Sequence, residues 1–198
     1  MITTPESQAS NGMTTITRTI NYVKDYDTLS EMAANIVRKE INRSSTSILG
    51  LPTGGTPIGM YEKLVKDKSI DWRRVKTFNL DEYVGIDPNH PESYRNFMAR
   101  HFHNRVNIPK DYIHFPDPMC PEKYDDLIAH SGGIDLLVMG MGSNGHVAFN
   151  EPGTDMLSET HITDLKEQTI KDNSRFFNSI DEVPTQAVTM GLRTILGA

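Results

Sequence analysis

Short, continuously apolar runs alternate with amphipathic stretches along this chain, and that alternation limits the folds open to it. The runs SILGL (47–51), VKTFNL (75–80) and IDLLVMGMG (134–142) read as strands, the last as the most clearly buried. YIHF (112–115) reads as a shorter strand, and TTITRTINYV (14–23) as a β-rich opening segment. Between them, DTLSEMAANIVRKEINR (27–43) places Leu29, Met32, Ala33, Ile36 and Val37 on one helical face, with Thr28 and Glu31 at capping-box spacing. IGMYEKLV (58–65) follows Pro57 at a helix start, PESYRNFMARHFHNRV (91–106) again opens on a proline, and PEKYDDLIAH (121–130) is a shorter helix. Apolar strands separated by amphipathic helices imply an α/β fold with a parallel sheet.

The remaining composition narrows the function classes. With 198 residues, 37% hydrophobic and 23% charged, the chain suits one sizeable globular domain. A net charge of −6 argues against a general nucleic-acid or anionic-membrane binder, while leaving room for a local anion pocket. The single cysteine, Cys120, cannot form an internal disulfide, and the absence of C-x-x-C leaves no cysteine zinc site. No apolar stretch approaches the ~18 residues of a membrane span. Residues 1–12 are polar and lack the basic and apolar parts of a signal peptide, so they are expected to be a disordered tail before a domain at 13–198, with Met13 as an alternative start. A cytoplasmic location is the corresponding expectation.

In a parallel sheet, ligands bind beyond the carboxyl ends of the strands, which makes three strand ends worth comparing. The first runs into Pro52-Thr53-Gly54-Gly55-Thr56, where glycines and a following helix N-terminus suit a phosphate cradle, although P-loop spacing and its lysine are missing. A tight turn capped by Thr56 explains the same residues. The second runs into Asp81-Glu82, where Asp81 can act as a base on an acidic C–H and Glu82 competes for that role; a helix cap or solvated turn is the plainer reading. The third, MGMGSNGHVAFNEPG (139–153), spells G-x-G-x-x-G through Gly140, Gly142 and Gly145. Pro152 and Gly153 stop any helix there, which argues against dinucleotide binding, although Asp164 stands near the distance expected of a ribose-binding acid. What remains is a loop presenting Asn144, His146 and Glu151, in which a histidine oriented by its neighbours can shuttle protons, or simply serves the turn. His90, His101, His103, His114 and His130 form no pattern, and Arg175 in NSRFF is either a surface arginine or a fork for phosphate.

The segments LGLPTGGTP, FNLDEYVGI, HPESYRNFM, MGMGSNGHVAFNEPG and NSRFF stand in the same order as in glucosamine-6-phosphate deaminases, and the sequence resembles that family from about Thr14 to its end. The resemblance implies a Rossmann-like three-layer αβα sandwich with a mainly parallel sheet. It also implies conversion of glucosamine 6-phosphate to fructose 6-phosphate and ammonia, with no metal or redox cofactor, and leaves a homo-oligomer open. By position, Asp81 matches the base that takes the proton from C2, His146 the group that opens the sugar ring, and Glu151 the carboxylate that works with it. Asn144 stands where some members carry Asp. Gly54, Gly55, Thr56 and Arg175 match the phosphate-binding positions.

Two features depart from the family pattern. Members continue past GLRTILGA, and the resemblance implies that further strands, helices and a phosphate-contacting lysine belong to that part. Members activated by N-acetylglucosamine 6-phosphate carry basic residues after NEP, whereas GTDMLSETHITDL has none before Lys166, so no such activation is expected. Two other readings stand beside the deaminase: a truncated, weakly active sugar-phosphate binder, and a 6-phosphogluconolactonase-like hydrolase, against which the set Asp81, His146 and Glu151 argues.

Overall fold

The computed structural model describes residues 2–10, 13–142 and 144–198, with side chains from residue 19 onward. Its centre is a four-stranded sheet built from β3 (Ile48–Leu51), β4 (Lys76–Asn79), β6 (Ile113–His114) and β7 (Leu136–Leu137). The strand order is β6-β4-β3-β7 and every pairing is parallel, as the alternating pattern implies. Side chains on successive strand residues point to opposite faces. Leu49 and Leu51 therefore pack with Ala34 and Val37 of α1 (Tyr26–Arg43), Tyr61 and Leu64 of α2 (Ile58–Lys66) and Met98 of α3 (Tyr94–His101). Ile48 and Phe78 face the other way, onto Tyr124 and Ile128 of α4 (Glu122–Ser131) and Ile195 of α6 (Leu192–Leu196). Helices thus cover both faces of the parallel sheet, and the three-layer α/β expectation holds.

Several local expectations need correction. Helix α1 is capped by Asp25, whose carboxylate accepts from Thr28 N at 2.8 Å, rather than by the Thr28–Glu31 box. Its buried residues are Ser30, Ala34, Val37 and Ile41, so the inner stripe is rotated from the expected one and only Val37 is common to both. The cause lies in α2: a Cβ on Gly59 would run into Ser30 and come within 3.1 Å of the Tyr26 ring, so the two helices meet over a glycine and the small Ser30 lies inside. Helix α3 opens at Ser93, which accepts from Asn96 N, and not at Pro91. The run 134–142 is not a deeply buried strand. Only Leu136 and Leu137 pair, both are half-buried, and Met141 is 72% exposed, because β7 is an edge strand with a neighbour on one side alone.

Two antiparallel sheets accompany the central one. Residues 2–10, expected as a disordered tail, form β1 (Ile2–Ser10), paired antiparallel with β2 (Met13–Asn21). The Thr-rich segments satisfy one another's backbone groups in this hairpin, and Pro5 is tolerated because β1 is an edge. Asn11 and Gly12 lie outside the described residues. The second sheet holds β5 (Asp81–Tyr83), β9 (Gln186–Thr189) and β8 (His161–Asp164) in the order β5-β9-β8. Asp81 and Glu82 therefore stand in a new strand that begins one residue after β4 ends, not in a turn.

Candidate active site

The C-terminal ends of β3, β4 and β7 emerge together at one edge of the parallel sheet. Leu51 pairs with Asn79, Gly50 pairs with Leu137, and Asn79 Nδ2 donates to Leu51 O at 3.0 Å across the two ends. Each strand end then delivers one group of candidate residues.

Beyond β4, Asp81 lies in a strand that is largely buried. It is 8% exposed, and among the described residues no hydrogen bond reaches its carboxyl oxygens. Burial, reinforced by the neighbouring Glu82, pushes the Asp81 carboxyl up to about 8. Glu82 points to the opposite face. There it accepts from Tyr83 N, Tyr94 N and Arg95 N at 3.0, 2.9 and 2.9 Å and so caps the first turn of α3. The competition between the two acids is thereby resolved: Glu82 is occupied by the helix and Asp81 is left with a free carboxyl.

Beyond β7, the loop through residue 151 forms one hydrogen-bonded chain. Glu151 Oε2 accepts from Asn144 Nδ2 at 2.8 Å, and Asn144 Oδ1 lies 2.7 Å from His146 Nδ1. With the amide nitrogen committed to Glu151, the amide oxygen can only accept, so His146 carries its proton on Nδ1 and leaves Nε2 with a lone pair. The backbone N–H of His146 donates to the same Asn144 oxygen at 3.1 Å. Burial alone would raise the Glu151 carboxyl, but hydrogen bonds from Asn144, Lys166 and Thr169 outweigh it and lower the net value. The glycines of the false dinucleotide fingerprint have local reasons to be there. A Cβ on Gly142 would collide with the His146 ring, and Gly145 turns the chain at φ +89°. Ser143, between them, lies outside the described residues.

Hydrogen bonds to the second sheet position this loop. Phe149 N donates to Thr189 Oγ1 at 3.1 Å, and Asn150 Nδ2 donates to Met190 O at 2.8 Å. Thr189 pairs directly with Asp81, and Met190 N donates to Leu80 O at 2.7 Å. The His146 loop and the Asp81 strand are therefore fastened to the same strand, β9. Ala148 takes φ +50° in the tight turn closed by the Val147–Asn150 bridge, a left-handed conformation that costs a residue with a Cβ on the order of 1 kcal/mol.

Beyond β3, Gly54 has φ +99°, and Gly54, Gly55 and Thr56 are exposed, with open space where a Cβ would extend from either glycine. Thr56 makes no cap to α2, whose N-cap residue is Pro57. Tyr26 holds the loop instead: its hydroxyl accepts from Gly59 N at 2.9 Å and donates toward Thr56 O at 3.0 Å. Arg175, in the 3₁₀ turn Ser174–Phe176, is exposed, and its guanidinium lies over the Phe176 ring at 4.7 Å without a hydrogen bond to the 52–56 loop. Asn144, His146 and Glu151 are thus joined directly and Asp81 is joined to them through β9. The glycine loop shares their sheet edge, whereas Arg175 is held to none of these residues by a hydrogen bond among the described residues, although Asn173 of the preceding helix donates to Tyr83 beside Asp81.

Sequence reasoning missed Lys166, Thr169, Thr189 and Tyr26, all of which reach the site from distant positions with no local motif. The other histidines are absorbed by structure. Buried His103 lies 3.2 Å from Thr77 Oγ1 and its imidazole is lowered to about 4 by burial, and His114 packs on Phe78.

Residues 24–198 match the family model described as glucosamine-6-phosphate isomerases/6-phosphogluconolactonase. A glucosamine-6-phosphate deaminase of Thermoanaerobacter sp. (strain X514) is 45% identical over 183 residues, which is 88% of this chain and 72% of that protein. The solved structure of a monomeric glucosamine-6-phosphate deaminase superposes with a TM-score of 0.86 at 37% identity, covering 89% of this chain and 77% of that one. A 6-phosphogluconolactonase from Thermotoga maritima superposes with a TM-score of 0.66 at 23% identity, over 87% of this chain and 76% of that one, a likeness of fold.

Proposed function

The chain belongs to the glucosamine-6-phosphate isomerase/6-phosphogluconolactonase family, and from that premise we propose that it isomerises and deaminates glucosamine 6-phosphate to fructose 6-phosphate and ammonia. The observation that carries this reading is the Glu151–Asn144–His146 chain, which leaves His146 Nε2 as a proton acceptor on a loop fastened to the strand beside Asp81. The closed sugar has no carbonyl, so its C2 proton is not acidic, and ring opening has to come first. His146 Nε2 takes the proton of the C1 hydroxyl and returns one to the ring oxygen, giving the open aldehyde. The Asp81 carboxylate then removes the proton now acidified at C2 while O1 takes up a proton, giving an enolamine. Asp81 delivers its proton to C1, and the nitrogen gives up one proton in place of that taken by O1. This leaves an imine at C2, which water hydrolyses to the ketose and ammonia.

Burial suits Asp81 to this work, because a carboxyl raised to about 8 is a stronger base once ionised than one near 4. The phosphate is chemically untouched. Gly54, Gly55 and Thr56 bind it at the start of α2, the exposed Arg175 is the cation available to it, and its binding energy positions the reacting carbons. A phosphorylated sugar substrate also fits the cytoplasmic location expected from the sequence. Incubation with glucosamine 6-phosphate tests the reading: ammonia and fructose 6-phosphate should appear in equal amounts with the wild-type chain and disappear with Asp81→Asn.

A second reading, sugar-phosphate binding with little turnover, is favoured by the openness of β7, the strand that leads into the His146 loop. Leu136 and Leu137 are only half-buried there, and Met139 and Met141 are exposed. Substrate binding without ammonia release would select it.

A further inference from the structure

Two groups outside the proposed chemistry converge on Glu151. Lys166 Nζ lies 3.3 Å from Oε2, and Thr169 Oγ1 donates to Oε1 at 3.2 Å. Both come from the start of α5 (Glu167–Asn173), for which Lys166 is the N-cap residue. The oxygen that Lys166 faces is the same Oε2 that accepts from Asn144 Nδ2. The Lys166 side chain is 56% exposed and that of Glu151 17%. An ion pair this open contributes little to stability, so its stabilising effect is a weak reason for its position.

Its geometric effect is larger. An ionised Glu151 can only accept hydrogen bonds, and with both its oxygens held it presents Oε2 to Asn144 in one orientation. Held in place, the carboxylate keeps the Asn144 nitrogen on Glu151 and its oxygen on His146, the orientation that the His146 backbone N–H also favours by donating to that oxygen. The opposite amide orientation would offer Nδ2 to His146 Nδ1, move the ring proton to Nε2, and remove the acceptor from the face the sugar needs. We infer that Lys166 is a positioning residue that selects the Nδ1–H tautomer of His146 through Glu151 and Asn144. It touches neither the substrate nor a reacting atom. The kinetic consequence rests on the deaminase reading, whereas the tautomer does not.

The test uses Lys166→Met, with Lys166→Arg as the conservative variant, and reads the ¹⁵N shifts of the His146 ring alongside turnover. Wild type and Lys166→Arg should show a single Nδ1–H tautomer, and Lys166→Met a mixture of the two. For turnover, kcat should fall by about tenfold in Lys166→Met with KM changed by less than about twofold, and recover in Lys166→Arg. A single, unshifted tautomer in Lys166→Met overturns the inference, even if kcat falls, since Lys166 would then act on the substrate itself. A tautomer mixture supports it. If the mixture appears while wild-type turnover is absent or kcat is unchanged, the deaminase reading or its ring-opening step fails and the role of Lys166 stands.

Discussion

Asp81 and Glu151 are carboxylates serving the same candidate site, and their surroundings push them in opposite directions. Asp81 is buried at 8% exposure, with no hydrogen bond to its carboxyl oxygens among the described residues, next to a second acid, and is raised to about 8. Glu151 is partly open, holds Asn144, Lys166 and Thr169, and is lowered. The contrast separates two uses of one functional group. A carboxyl deprived of partners keeps its proton readily and, once ionised, is a strong base; a carboxylate with both oxygens occupied is a fixed anion that orients others.

Substitutions at the two ends should break this contrast in graded ways. The largest effect is expected for Asp81→Asn, which should cut kcat by about 10³-fold or more while leaving substrate affinity within a few-fold, measured by ammonia release and by calorimetry. The same variant should be more stable than wild type at neutral pH. A buried acid with a raised folded value costs nothing below its unfolded value of 3.8, and an increasing amount as pH rises from there toward about 8. Each unit in that window is worth at most about 1.4 kcal/mol. The gain from Asp81→Asn should therefore be present at pH 7 and vanish below pH ~4 in denaturant titrations.

Next in size, Gly142→Ala should lower kcat by about 10²-fold without a comparable loss of binding, because the added methyl displaces the His146 ring from its aligned position. A normal rate in this variant would show that ring placement is not demanding. Glu82→Gln sharpens the Asp81 half of the comparison. Removing the neighbouring charge should lower the midpoint of the acid limb of kcat/KM, and weakening the cap on α3 should cost about 1 kcal/mol of stability. An unmoved limb would mean that burial alone sets Asp81. The smallest effect is expected from N-acetylglucosamine 6-phosphate, which should change the rate by less than about twofold, since residues 153–165 carry no Lys or Arg. Strong activation in a titration would contradict this.

Local chemistry made much of the molecule legible from the sequence. The parallel strands β3 and β4, helices α1, α2 and α4 and the three strand ends follow from apolar periodicity and from glycine and proline placement, which act within a few residues. The grouping of Asn144, His146 and Glu151 was legible for the same reason, since all three lie within eight residues of one loop. The pairing of β5, β8 and β9 was not, because strands of three or four residues with separate partners carry no local signature and gain their stability only when they meet. That sheet decides the rest. It buries Asp81, gives Glu82 to α3, and fastens the His146 loop through Thr189. The N-terminal segment, the exposed edge of β7 and the clamp of Lys166 and Thr169 on Glu151 likewise depend on which distant surfaces come together. The residue types and the loop that carries them were set by sequence. Which carboxyl is deprived of partners and which is saturated was set by tertiary contacts, because desolvation and hydrogen bonding depend on what surrounds a group and not on what precedes it along the chain.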